Sequence, residues 1–173
     1  SSPQNPWPEN SMPGKIKPAR PRLIGVISDT HGMVRPEVLK AFQGVEFIIH
    51  AGDVGGPEVL EVLRALAPLV AVRGNVDRGE WAQDLTDTEV VEAGESRLYV
   101  LHNLHELDLD PFAAGFRAVI SGHSHCPSKE NRQGVLFLNP GSAGPRRFRL
   151  PVSLVLLRLE GESLAAKLID LGV

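Results

Sequence analysis

Arg22-Leu23-Ile24-Gly25-Val26-Ile27-Ser28-Asp29-Thr30-His31 decides how this chain is read. Leu23 to Ile27 is a nearly continuous apolar run, as in a strand buried on both faces. The run breaks at Ser28, and a carboxylate and an imidazole follow, two residues apart. The same pattern, an apolar run closed by a polar donor, recurs along the chain. Val45 to Ile49 precedes Asp53, and Leu69 to Val72 precedes Asn75. Leu98 to Leu101 precedes His102, and Val119-Ile120 precedes Gly122-His123-Ser124-His125. Donors at successive strand ends can converge on one rim of a sheet, where open α/β proteins bind their ligands.

Between these runs the pattern alternates with helices. Pro36 suits a first helical position, and Val38, Leu39 and Phe42 then share a face. Gly55-Gly56-Pro57 opens a second helix, with Val59, Val62, Leu63 and Leu66 as its apolar stripe. The order β-α-β-α-β implies right-handed crossovers and a parallel sheet. Further on, Glu89 to Glu92 and Arg97 to His102 flank Ala93-Gly94-Glu95-Ser96, a hairpin signal. A short helix is expected from Asp110-Pro111 to Gly115. Arg117 to Ser121, Val135 to Leu138, Val152 to Leu159 and Leu164 to Leu171 read as strands. The last of these also fits a short terminal helix. So many strands require two packed sheets.

A length of 173 residues fits one domain with a self-sufficient core. Residues 1–21 read as a flexible, proline-rich tail and residues 22–173 as the folded domain. Met12 is the expected natural start, with residues 1–11 an added remnant. A net charge of −3 and an aromatic content of 5% argue against nucleic acid as partner. No apolar run is long enough for a membrane span, and a single cysteine, Cys126, fits a reducing compartment. The expected location is the cytoplasm.

The donors carry the chemistry. Asp29 and His31 can point the same way from a strand-end turn and bind one ion. Asp53 has two carboxylate oxygens and sits beside Gly52, which makes it the natural bridge between two ions. Asn75 offers a neutral carbonyl oxygen; His102, His123 and His125 add nitrogen. This mixture suits manganese first, with iron, nickel or zinc as the other fits, better than magnesium or calcium. Two divalent cations opposed by only Asp29 and Asp53 retain positive charge, which favours a phosphate ester. Such a pair, roughly 3.5–4 Å apart, lowers the pKa of a bridging water and clamps in-line displacement at phosphorus. Arg146 is the expected phosphate clamp, ahead of its neighbour Arg147. Taken singly, Asp-x-His, Gly-Asp or Gly-Asn is usually turn chemistry. His50 reads equally well as a group orienting a ligand and as a hydrogen-bonded strand end. Asn139-Pro140-Gly141-Ser142 either lines the site or makes a tight turn. Trp81 and Phe148 read as packing or loop-anchoring groups.

Together, Asp29-x-His31, Gly52-Asp53, Gly74-Asn75, His102 and Gly122-His123-x-His125 resemble the calcineurin-like metallophosphoesterase superfamily. The small size and Asn139 to Ser142 resemble its bacterial and archaeal phosphodiesterase branch. The resemblance implies a four-layer αββα sandwich, two packed mixed β-sheets flanked by helices. It implies a first metal on Asp29, His31, Asp53 and His125, and a second on Asp53, Asn75, His102 and His123. Asp53, Asn75 and His102 would be the catalytic set, and Asn75 and Arg146 would contact a small phosphoester substrate. The implied reaction is phosphodiester hydrolysis by a metal-bridging hydroxide. Phosphomonoester hydrolysis and a protein-interaction scaffold are the alternatives, and the resemblance allows a homodimer. Larger members carry a histidine after the asparagine; here Val76 and then Asp77 follow. Without that acid, leaving groups of low pKa should react best. Small relatives read His-Gly-His around His102, whereas this chain has His102-Asn103-Leu104-His105. Asn103 can adopt the left-handed conformation of the glycine it replaces.

Overall fold

Strand β1 (Arg22–Ile27) forms where the sequence is most apolar, and Ile24, Val26 and Ile27 are fully buried. The computed structural model describes residues 22–161 and 163–173, so the expectations about the tail and Met12 lie outside the described residues. After β1 come α1 (Pro36–Ala41), β2 (Phe47–His50), α2 (Pro57–Leu66) and β3 (Leu69–Ala71). β4 (Thr88–Ala93) and β5 (Ser96–Leu101) make the expected hairpin, followed by β6 (Ala118–Ile120). β7 (Ser128–Arg132), β8 (Val135–Asn139), β9 (Ser153–Glu160) and β10 (Ser163–Asp170) complete the chain.

The strands form two five-stranded sheets, ordered β10-β9-β1-β2-β3 and β4-β5-β6-β8-β7. Both are mixed. β1, β2 and β3 run parallel while β9 lies antiparallel to β1, and β5, β6 and β8 run parallel between antiparallel β4 and β7. Ile24, Val26, Ile49, Leu98, Val100, Ile120 and Leu157 fill the space between the sheets. Each such side chain contributes about 1.5–3 kcal/mol by leaving water. The helices cover the outer face of the first sheet through Val38, Phe42, Val59, Leu60 and Leu63. Over the second sheet the outer layer is reduced to loop and a 3-10 turn at Leu104–Glu106, packed on Tyr99, Phe116 and Val119. The two-sheet sandwich is therefore the fold that the strand-end motifs implied.

Three local expectations are corrected, and the strand reading of Leu164 to Leu171 is kept over its helical alternative. Residues 111–115 form a turn rather than a helix: Asp110 Oδ1 caps the N–H groups of Phe112 and Ala113, and Gly115 at φ 84° stops propagation. α2 buries Val59, Leu60 and Leu63, followed by Ala67, and leaves Val62 and Leu66 partly exposed, so its stripe is rotated from the one read. Leu164 to Leu171 is no helix, because β10 pairs with β9 from Ser163↔Glu160 to Asp170↔Ser153. Phe148 is 94% exposed rather than packed, whereas Trp81 does pack against the helix-side core. Among the described residues no helix is long and apolar enough to cross a membrane.

Candidate metal centre

The carboxyl ends of β1 and β2 lie on the same rim because the strands are parallel, and the loops leaving them are tied together. Asp29 N donates to Gly52 O (2.9 Å) and His31 N to Asp53 O (3.0 Å). The loops after β5 and β6 meet in the same way, with Gly122 N donating to His102 O (2.9 Å). Close sheet packing brings the two rims face to face. Asp29 Oδ1 lies 3.3 Å from His125 Nε2 and 3.9 Å from His31 Nε2. Asp53 Oδ2 lies 3.2 Å from His102 Nε2 and 3.8 Å from His31 Nε2. Two overlapping groups result, Asp29-His31-His125 and Asp29-Asp53-His102, each compact enough to hold one ion.

The backbone is bent to achieve this. Asp29, His31, Asp53, His123 and His125 all have positive φ, between 48° and 72°. Non-glycine residues adopt that region at a cost, and such strain concentrates at functional sites. Two glycines make room. A Cβ on Gly74 would strike Asp53, and one on Gly122 would strike the Ser28 hydroxyl and lie 2.7 Å from Asp29 Oδ2.

The donor atoms fit cations. Asp29 Oδ1, His31 Nε2 and His102 Nε2 are buried with no hydrogen-bond partner among the described residues, a condition folded proteins avoid unless something else binds there. His102 Nδ1 lies 2.7 Å from Ala51 O; a carbonyl only accepts, so Nδ1 carries the hydrogen and Nε2 of the neutral ring turns its lone pair toward Asp53. Two acceptors at 3.2 Å need a proton or a cation between them. Burial acts to lower the His102 pKa, but Asp53, Ala51 O and Asp29 outweigh it and raise it. Burial pushes Asp29 up to about 6, against the 2.6 Å hydrogen bond from Ser28 and the charge of His102. Burial acts on Asp53 the same way, but His102 and the N–H of Val76 hold its carboxyl well below the usual range. Burial and then Arg147 lower His125 to about 4. Burial also lowers His31, with Asp53 opposing it. Neutral imidazoles are the form that binds metal.

His123 and Asn75 lie at the edge. The His123 ring is 5.2 Å from that of His102, and the backbone N–H of His123 donates to Asp29 Oδ2 (3.1 Å). Asn75 is exposed, on the loop whose next residue, Val76, donates its N–H to Asp53 Oδ1 (3.1 Å). Arg146 borders a surface depression with Arg149, Pro151 and Asp170; the arginine whose charge bears on His31 and His125 is Arg147. Asn103 is extended (φ −112°), not left-handed, and its Oδ1 accepts from His105 N.

Behind the donors stand residues that hold the loops. Gly52 N donates to His50 Nδ1 (3.1 Å), so His50 Nε2 carries the hydrogen and donates to Thr30 Oγ1 (2.9 Å), which donates to Val54 O (2.8 Å). His50 thereby links the turns that carry Asp29, His31 and Asp53. Full burial lowers its pKa to about 4, so it stays neutral. Ser142 Oγ donates to Asp29 O (3.0 Å), and Asn139 Nδ2 donates to Gly122 O (3.0 Å), so the Asn-Pro-Gly-Ser turn supports the donor loops from beneath. Asp77 is the contributor that the sequence did not reveal. It accepts from Val54 N (3.1 Å), Gly55 N (2.9 Å) and Gly74 N (2.9 Å), joining the Asp53 and Asn75 loops.

Two carboxylates and several imidazoles, aimed at one another on the rim of a two-sheet sandwich, define a protein built to bind metal ions. Residues 23–162 match the model of the calcineurin-like phosphoesterase superfamily domain, and the chain belongs to that superfamily. A probable metallophosphoesterase of Methanothermobacter thermautotrophicus is 37% identical over 162 residues, 87% of this chain and 93% of that protein. A structure of a novel archaeal phosphodiesterase superposes with a TM-score of 0.71 at 25% identity, covering 85% of this chain and 99% of that one. Vps29 of Entamoeba histolytica, solved in complex with zinc, gives 0.65 at 25% identity, covering 86% and 99%.

Proposed function

We propose that the chain is a binuclear metal-dependent phosphodiesterase. The observation that carries this reading is the set of buried donor atoms of Asp29, His31 and His102, without a hydrogen-bond partner among the described residues and gathered around Asp53. Asp29, His31, Asp53 and His125 would hold one ion, and Asp53, Asn75, His102 and His123 the other. Asp53 Oδ2 stands between a histidine of each set, which suits it to bridge. Bound divalent cations, manganese foremost, would neutralise phosphoryl oxygens and lower the pKa of an attacking water. His102 is held in one tautomer by Ala51 O, so its Nε2 presents a fixed lone pair to the site. Arg146, or its neighbour Arg147, whose charge bears on His31 and His125, would clamp the phosphate.

The leaving group receives no proton from the loop after Asn75. Val76 is half exposed and offers only its N–H, which Asp53 takes, while Asp77 is turned inward onto three amides. Aryl diesters, whose leaving groups depart unprotonated, should therefore be the best substrates. Hydrolysis of bis(4-nitrophenyl) phosphate against 4-nitrophenyl phosphate, with the manganese-loaded chain, is the test. A faster diester rate is expected, as is a loss in Asp53→Ala at least about tenfold greater than in Asn75→Ala. Faster monoester hydrolysis, or equal and near-wild-type rates in both variants, refutes the reading. A protein-binding role is the second reading, favoured by the likeness to Vps29, a protein named for vacuolar sorting rather than hydrolysis. A metal-free, inactive chain that forms a stable complex with a protein partner would favour it.

A further inference from the structure

A cavity of about 200 Å³ opens beside the donor rim, with His123 in its wall. One side is the turn that carries Asn103 and His105; the other is the β7–β8 hairpin, through Ser128, Arg132 and Phe137. We propose that this cavity is the subsite for the organic group of the phosphate ester, and that it selects a flat, uncharged ring. The inference rests on the metal centre proposed above, because only a phosphate held on that rim would direct its substituent past His123.

The wall chemistry supports the choice of ligand. Several planar groups line the cavity: the Phe137 ring carries the Arg132 guanidinium 4.5 Å above its centroid, and Asn103 and His105 contribute to the opposite wall. Flat faces of this kind stack on rings and gain little from a branched alkyl chain. The charges in the wall cancel, since Arg132 Nη2 lies 3.0 Å from Glu130 Oε2, which disfavours a second charged group. The charge of Arg147 bears on His31 and His125, so the donor rim has a cationic group for phosphate while the cavity wall is neutral for the ester group. Within the hairpin, β7 is exposed at every position and β8 supplies the buried Val135 and Leu138, so β7 is the strand free to serve a ligand.

The test compares methylphosphonate with phenylphosphonate, whose P–C bonds resist hydrolysis, by calorimetric titration of the manganese-loaded chain. In the wild type phenylphosphonate should bind about tenfold more tightly, the gain of one stacked ring. In Ser128→Trp, which fills the cavity from an exposed strand position, that preference should fall to about twofold or less. Methylphosphonate should bind both proteins alike. Arg132→Ala, which removes the flat cation, should lose most of the preference without filling the space. Equal affinities in the wild type, or a preference that survives in both variants, overturn the subsite. If neither phosphonate binds a chain shown to carry its metals, the phosphoesterase reading itself fails, and the subsite with it.

Discussion

Asp77→Asn preserves the shape of a buried side chain while removing one of its two oxygens. Oδ2 accepts from Val54 N and Gly74 N, and Oδ1 accepts from Gly55 N. In its better orientation the asparagine oxygen keeps the first two bonds, and its amide nitrogen then faces Gly55 N–H, donor against donor. A hydrogen bond to a charged acceptor contributes about 1.5–3 kcal/mol and a neutral one about 1 kcal/mol. Losing one bond and weakening two should destabilise the chain by roughly 3 kcal/mol. The affected amides flank Asp53 and Asn75, so manganese affinity should also fall by about tenfold or more. Urea unfolding of the metal-stripped proteins measures the first quantity, and calorimetric manganese titration the second. A variant within about 0.5 kcal/mol of wild type, with unchanged metal affinity, would refute the role given to Asp77.

Other outcomes follow from the same geometry. His50 is held neutral with its pKa lowered to about 4, so its contribution is complete above the unfolded value of 6.5 and is lost as pH falls toward 4. The stability advantage of metal-stripped wild type over His50→Gln should therefore shrink by about 3 kcal/mol between pH 7 and pH 4; parallel stability curves would count against it. Gly122→Ala places a methyl against Ser28 Oγ and Asp29 Oδ2, and should cost about 1–3 kcal/mol in thermal or chemical unfolding while weakening metal binding. Wild-type stability in that variant would show that the glycine is not there for close approach.

Much of the fold was legible because burial writes itself into sequence. β1 is apolar throughout since both of its faces are covered, by β-sheet residues such as Leu98 on one side and by α1 and α2 on the other. β7 was invisible for the opposite reason: Ser128-Lys129-Glu130-Asn131-Arg132 is exposed at every position, so no periodicity marks it. Only the Gln133-Gly134 turn, both residues at positive φ, reveals that a strand precedes Val135. β10 was ambiguous because Leu164, Leu168 and Leu171 fit helical spacing, while Leu164, Ala166 and Leu168 fit a strand; pairing with β9 decides it. In the site, the strand-end motifs announced Asp29, His31, Asp53, His102 and His125, which the fold does bring together. Arg146 was set ahead of Arg147 only for its nearness to the Asn-Pro-Gly-Ser turn, because adjacent residues on an exposed loop carry no periodicity to fix their directions. Asp77 left no signal at all, since its partners are backbone amides, which have no letter in a sequence.

Metal content of the purified chain, by mass spectrometry after reconstitution with manganese and removal of excess, tests the shared centre most directly. Two ions per chain are expected in the wild type, falling below one in Asp53→Ala. One ion or none in the wild type, or an unaltered pair in Asp53→Ala, would contradict a binuclear centre bridged by that carboxylate.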